Sequence, residues 1–442
     1  MSQGFEFRIE WLDAPGVSTP ELAATWARYE VWVAGRCASQ VETVDGTFRR
    51  SVFGSLYPLA EWIATNWWIL VSHIRPSAMD PLYWTWPNVR TDPWLRKHNI
   101  RGAGDGMAWP DMTIVMEGSV ARVAYTSDAE WSLAPVRFAA TASTLVAADD
   151  VKQGLAAVVD HVLERLASKG LSESRLAEEW DAVAQTDDEE RKFCQTVARL
   201  GLDPYSVDQR TAAQVIEIAS ALPPSLVDDF FDSADPAALS TAATWTESAL
   251  EAADGASTSA NEELSVLYES VARVGDEAGP AQKPWTLGYD MARHLRTELG
   301  VRDTDSFDPS RWVGLGEVDA PARGVQGAAA VRANRCGLVL GSPNPSGAAL
   351  RFGEARALGR VLARPQQRIF VLSAARGYFE RLAGAFAAEL LAPAEGIREY
   401  LDVLGERTDA AFDAVAGRYE VSPLLIQHQY DNQLAKRSDP AI

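Results

Sequence analysis

Residues 380–393 read ERLAGAFAAELLAP. Strong helix formers fill the run and a proline closes it, so a helix from Arg376 to Leu391 stopping at Ala392-Pro393 is expected. Upstream, the loop Ser342-Pro-Asn-Pro-Ser-Gly precedes a helix that starts near Ala348. Before that loop, Ala328 to Arg332 and Gly337 to Gly341 make a strand pair, with Asn334-Arg335 near the turn. A helix from Leu287 to Leu299 opens the region. Downstream, helices are expected near Gly396 to Leu404 and Thr408 to Arg418, followed by Val421-Ser-Pro-Leu-Leu-Ile-Gln-His. Residues 281–442 therefore read as one domain, helices around a strand pair.

The region before it, 151–280, is helical and acidic. Candidate helices run Lys152 to Lys169, Glu173 to Ala184, Glu189 to Leu200, Thr211 to Ala221, Ala242 to Ala252 and Glu262 to Val274. Residues 254–260 are a small polar link, and 275–284, with two glycines and two prolines, mark a domain boundary. Between Leu171 and Pro280 stand 23 acidic and 6 basic side chains, which carry −17 of the formal net charge of −20. Such a surface repels phosphate backbones, so direct nucleic-acid binding is disfavoured. It serves either solubility or the docking of a basic partner. The paired helices around Gly201-Leu-Asp-Pro imitate a helix-turn-helix. Their presumed recognition helix, Ala212 to Leu222, carries Glu217 and no Lys or Arg.

Residues 1–150 read as a mixed α/β domain rich in tryptophan. Phe5 to Leu12 suggests a strand, Thr19-Pro20 opens a helix toward Val33, Leu56 to Ile74 is a second helix, and Met112 to Ser127 is a hairpin turning at Glu117-Gly118. Trp62, Trp67, Trp68, Trp84, Trp86, Trp94, Trp109 and Trp131 build a core or line a groove, and the near-helical spacing of Trp62, Ile63, Trp67 and Leu70 favours core. Gly102-Ala-Gly104-Asp-Gly106 lacks the strand-to-helix context of a dinucleotide loop. His98, Asp105 and Asp111 lie close in sequence but have no nucleophile beside them.

With 442 residues, 47% of them hydrophobic, the chain supports two or three domains of an α+β, mostly helical class. Its most apolar stretch, Leu59 to Ile74, contains Glu61, Asn66 and His73 and is shorter than the ~20 residues of a membrane span. No signal peptide is visible at the start. Cys37, Cys194 and Cys336 are odd in number and far apart, which fits reduced thiols in a cytoplasm.

The run from Glu380 to Pro393 resembles the ImmA/IrrE-type metallopeptidases, in which E-x-x-A-N-x-F-A-x-x-L-L-x-P follows a zinc-binding HExxH helix. Every fixed position is met except the Asn, which is Gly384. Arg351-Phe352-Gly-Glu-Ala355 is similar to the family's R-F-x-x-A run, and Tyr419-Glu-Val421-Ser422 to a later F-x-V-S segment. The resemblance covers residues 285–435 and implies a zincin-like fold for the last domain.

That family's chemistry needs two imidazoles one helical turn apart, a third ligand from the next helix, and a Glu that takes a proton from metal-bound water. The positions matching HExxH are Arg356, Ala357, Leu358, Gly359 and Arg360, and Glu380 matches the third ligand. Arginine has no lone pair to give a metal, so neither a metal nor a cofactor is expected. Arg356 and Arg360 share a helix face; a guanidinium pairing with Glu380 would tie the two helices together, and solvent exposure or capture of an anionic ligand are the other readings. By resemblance, the chain is a non-catalytic cytoplasmic protein of bacterial stress-response or phage and mobile-element defence. Its partner is then a protein, such as a repressor or defence component. A zincin scaffold keeps a substrate edge strand, for which Gly337, Leu338, Val339, Leu340 and Gly341 are the candidates. A peptidase with a relocated metal site and a DNA-binding transcription regulator are the alternatives.

Overall fold

The alternation of apolar and polar residues decides the first elements. Strand β1 (Phe5–Trp11) pairs antiparallel along its whole length with β2 (Trp26–Val33). The helix expected from Thr19-Pro20 is present only as α1 (Pro20–Ala24). Beyond it Ala27, Tyr29, Val31 and Val33 are buried while the residues between them face outward, a period of two that only a strand satisfies. The computed structural model describes residues 4–14, 16–74, 92–128, 136–265, 267–268, 271, 274, 283–319, 322–342, 344–375 and 377–435. Trp84, Trp86, Trp131, most of the 275–284 boundary and much of the Glu262 to Val274 helix lie outside these residues. The chain is of the α+β class, mostly helical, with small sheets.

Two compact units divide between residues 215 and 216. In the first, β3 (Arg36–Cys37) and β6 (Val52–Ser55) also pair with β2. Strands β4 (Val41–Thr43), β5 (Phe48–Arg49) and β9 (Val136–Phe138) make a second small sheet. Strands β7 (Asp111–Glu117), β8 (Val120–Thr126) and β10 (Ala142–Ala147) make a third, and the β7–β8 hairpin turns at Gly118 with φ of 74°. The helices are α2 (Tyr57–Ser72), α3 (Pro93–His98), α4 (Ala148–Ser168), α5 (Arg175–Ala184) and α6 (Asp188–Arg199). The buried stripe Val151, Leu155, Val158 and Val162 turns α4 toward β1, where Gly154 lets the helix backbone rest on Phe5. Trp62 and Trp109 join this core, as the spacing predicts for Trp62.

Helix α7 (Gln209–Ala221) spans the division. The second unit adds α8 (Pro224–Phe231), α9 (Leu239–Ala256), α10 (Pro284–Glu298), α11 (Gly347–Ala363), α12 (Tyr378–Leu391), α13 (Ala394–Leu404), α14 (Asp409–Tyr419) and α15 (Pro423–Gln429). Its sheet runs β11 (Val313–Gly316), β13 (Arg335–Leu340), β12 (Val325–Arg332), β14 (Ile369–Ser373). Only the β11–β13 pair is parallel. Ala333 and Asn334, both at positive φ, close the expected β12–β13 hairpin in a two-residue turn. One sheet face packs Ala329, Leu338, Phe370 and Leu372 against α10, α11 and α12. The other packs Ala328, Ala330, Val339 and Val371 against Leu226 of α8 and Trp245, Ala249 and Ala253 of α9.

The acidic stretch 151–280, expected as a region of its own, therefore contributes to both units. Its first helices complete the core of the first, and α8 and α9 cover a sheet face in the second. Among the described residues no helix is long and apolar enough to cross a membrane.

Helix α9 lies on the sheet at backbone distance. A Cβ on Gly337 would stand 1.8 Å from the Ala253 carbonyl oxygen, and one on Gly314 would stand 2.0 Å from that of Ala256. Gly337→Ala should therefore lower the stability of the second unit by about 1–3 kcal/mol or more, read as a lower denaturant midpoint. Gly384, on α12, has no heavy atom within 4 Å of such a Cβ. Gly384→Ala should raise stability by about 1 kcal/mol through helix propensity, and serves as the control.

Candidate functional site

Helix α11 begins at Ser346, whose hydroxyl accepts from the Ala349 amide at 3.3 Å, and carries Arg356, Ala357 and Arg360. Helix α12 crosses it closely, because Gly359 leaves room for Phe386. Glu380, in the first turn of α12, thereby comes beside Arg356, and the two form an ion pair. Arg356 also donates to Gln326 Oε1 at 2.7 Å and to the Ser373 carbonyl at 2.8 Å. One guanidinium thus ties α11 to α12, β12 and the end of β14.

Arg360, one turn on, takes a different partner. Its side chain is 2% exposed, and its Nη2 donates to both carboxylate oxygens of Asp229 on α8. Gln367 donates to the same carboxylate at 2.8 Å and to the Ser225 carbonyl at 3.0 Å. The Arg360 guanidinium stands 5.1 Å from the Phe379 ring centre and 5.9 Å from that of Phe370. The expected pairing with Glu380 is made by Arg356 alone, and Arg360 is neither at Glu380 nor in solvent. Asp229 and Gln367, which complete its environment, carry no local sequence signal.

These side chains do not fit a zinc ion. Guanidinium groups offer five donors and no lone pair, and Glu380, the remaining oxygen ligand of the matched set, is bound by Arg356. Ala357 offers no base. Among the described residues no group of three or more His, Cys, Asp or Glu is placed to hold a metal ion. His98, Asp105 and Asp111 do not converge: Asp111 accepts from Asn99 at 2.7 Å, Asp105 sits in an exposed turn, and His98 faces Ile114 and His73.

The candidate peptide-binding strand requires correction. Gly337, Leu338, Val339 and Leu340 lie in β13, with Gly341 just beyond, and β13 is an inner strand. Its backbone pairs with β11 over Cys336 to Val339 on one side and with β12 on the other, so over that span no edge is open to an added peptide. The outer strand β14 is covered as well: Val371 is 0% and Leu372 1% exposed. The accessible part of the sheet rim is on β11, where Leu315 is 42% exposed.

Two further buried carboxyls belong to this region. Glu389 on α12, 1% exposed, accepts from Arg293 at 2.7 Å, Gln433 at 2.7 Å and Gln429 at 2.9 Å, joining α10, α12 and α15. Glu354 on α11 is pushed up to about 7, first by burial and then by the nearby Asp308, against the opposing pull of Arg351. A carboxyl raised in the fold stabilises it fully below the ordinary carboxyl range, and that contribution is lost as pH rises through about 7. Glu354→Gln should remove this loss, so that the variant gains stability relative to the parent between pH 5 and 8, as thermal unfolding across that range would read. No family model matches the chain, and no curated protein sequence matches it.

Proposed function

We propose that the chain is a non-catalytic protein, similar in its last third to ImmA/IrrE-type peptidases, that acts by binding a protein partner. The observation that carries this reading is the pairing of Arg356 with Glu380 and of Arg360 with Asp229. Where the resembled enzymes need lone pairs around a cation, this chain places two cations already neutralised by carboxylates. The pairs supply cohesion between helices in place of Lewis-acid chemistry.

The partner is a repressor or a defence-system component, as the resemblance implies, in a bacterial cytoplasm. The three unbridged cysteines are compatible with that compartment. Because β13 and β14 are closed, the partner is met by side-chain surfaces and not by strand addition to those strands.

Elemental analysis of protein purified without a metal-affinity tag tests the reading. Zinc below about a tenth of an equivalent in the parent and in Glu380→Ala supports it, since a structural or catalytic site would hold metal through purification. Near-stoichiometric zinc that disappears in Glu380→Ala overturns it. The ion pairs make a second expectation. Asp229→Ala leaves the buried Arg360 uncompensated and should cost about 3–5 kcal/mol. Glu380→Ala should cost less, because the Arg356 side chain is 13% exposed against 2% for Arg360.

A further inference from the structure

In the first unit two imidazoles that stand 25 residues apart in sequence meet. His98 Nδ1 lies 3.0 Å from the Ile114 carbonyl oxygen, which can only accept, so Nδ1 carries the proton. In the neutral ring Nε2 is then an acceptor, and His73 Nδ1 stands 3.3 Å from it. His73 Nδ1–H therefore donates to His98 Nε2, and the relay fixes one tautomer for each ring. Trp94 stacks on His98 with ring centres 4.3 Å apart.

The pair stands where four elements meet. His73 ends α2, its amide donating to the Ile69 carbonyl at 2.9 Å, and His98 ends α3. Ile114 belongs to β7. The turn after α6 packs against the pair: a Cβ on Gly201 would lie 2.9 Å from the His73 ring. Lys97 donates to the Gly201 carbonyl at 3.0 Å, and Trp68 donates to Tyr205 at 3.0 Å.

We propose that the His73–His98 pair is an acid-operated latch of the first unit. It holds the ends of α2 and α3, β7 and the 200–205 turn together while both rings are neutral, and it releases the turn when His98 Nε2, the acceptor of the relay, takes a proton. A proton on His98 Nε2 breaks the relay, because that N–H and the His73 Nδ1–H would then face each other. It also places a cation beside the ammonium of Lys97. The surrounding charges do not offset this. Asp203 faces Lys97, α6 brings the Cys194 thiol, and β7 brings only a carbonyl. The acids of β7 are engaged elsewhere, Asp111 by Asn99 and Glu117 by Arg122. Burial, then Lys97, holds His73 down to about 4; burial, then His73, holds His98 well below the ordinary imidazole range. A group held down in the fold contributes stability above its unfolded value, here about 6.5, that is lost as pH falls toward about 4.

Segment-resolved hydrogen exchange of the full chain from pH 7 to 4, corrected for the intrinsic rate, tests the latch. Protection in segments 57–73, 93–114 and 199–206 should fall about tenfold to a hundredfold per pH unit below 6.5, the slopes of one and of two protons taken up as opening frees one ring or both. Strands β11 to β13 should not follow, because Glu354 gives the second unit the opposite pH dependence in this window. His73→Gln should flatten the fall. If that variant does not fold, histidine side-chain NMR of the parent decides: both rings protonated at Nδ1 and neutral down to about pH 5 agree with the latch. Unchanged protection of the three segments down to pH 4, or ordinary titration near 6.5, overturns it.

Discussion

A helix backbone pressed onto strand backbone sets the terms for the second unit. Three glycines, Gly314, Gly316 and Gly337, lie under the carbonyls of Ala256, Ala252 and Ala253. Contact this close leaves no space for water and lets the short side chains of the sheet, mostly alanine and valine, reach Trp245 and Ala249 across the gap. The sheet can be narrow and small-residued because the helix comes to it. On the opposite face the longer side chains Leu338, Phe370 and Leu372 share a core with α11 and α12. The two faces thus differ in the size of the residues they present.

Those arginines are costly to bury, and their placement shows how the cost is offset. Removing a guanidinium from water is repaid only by a carboxylate with good geometry and by further acceptors. Arg356 has Glu380, Gln326 and the Ser373 carbonyl. Arg360 has Asp229, with Gln367 bracing the same carboxylate and two aromatic rings nearby. A metal would hold its ligands from one point. The two guanidinium groups instead distribute the attachment over α8, α11, α12, β12 and β14, which makes the region a lattice of directed bonds.

Much of this is legible from sequence wherever the determinant is local. The β12–β13 hairpin is expected from Asn334-Arg335 and turns one residue earlier, at Ala333-Asn334, while α11 and α12 follow from their helix formers and stops. Strand β2 is hidden by a genuine helix start at Pro20 that lasts only five residues. Strand β14 is a short apolar run between two helices, where periodicity says little. The position of β13 inside the sheet depends on β11, whose pairing is parallel and non-local. Long-range partners leave no pattern at all: Asp229 lies 131 residues before Arg360, and His73 and His98 share no motif. Arg356 and Glu380, only 24 residues apart on consecutive helices, are the pair that sequence can place.

The membership of α8 and α9 in the second unit bears on how such a chain can change over evolutionary time. A segment beginning near residue 281 would carry the whole resemblance, yet it would present Ala328, Ala330, Val339 and Val371 as a bare apolar face and leave Arg360 without its carboxylate. Moved alone into another protein, that segment would carry an apolar face that favours association. The smallest stretch that keeps both sheet faces covered and Arg360 paired begins at α8.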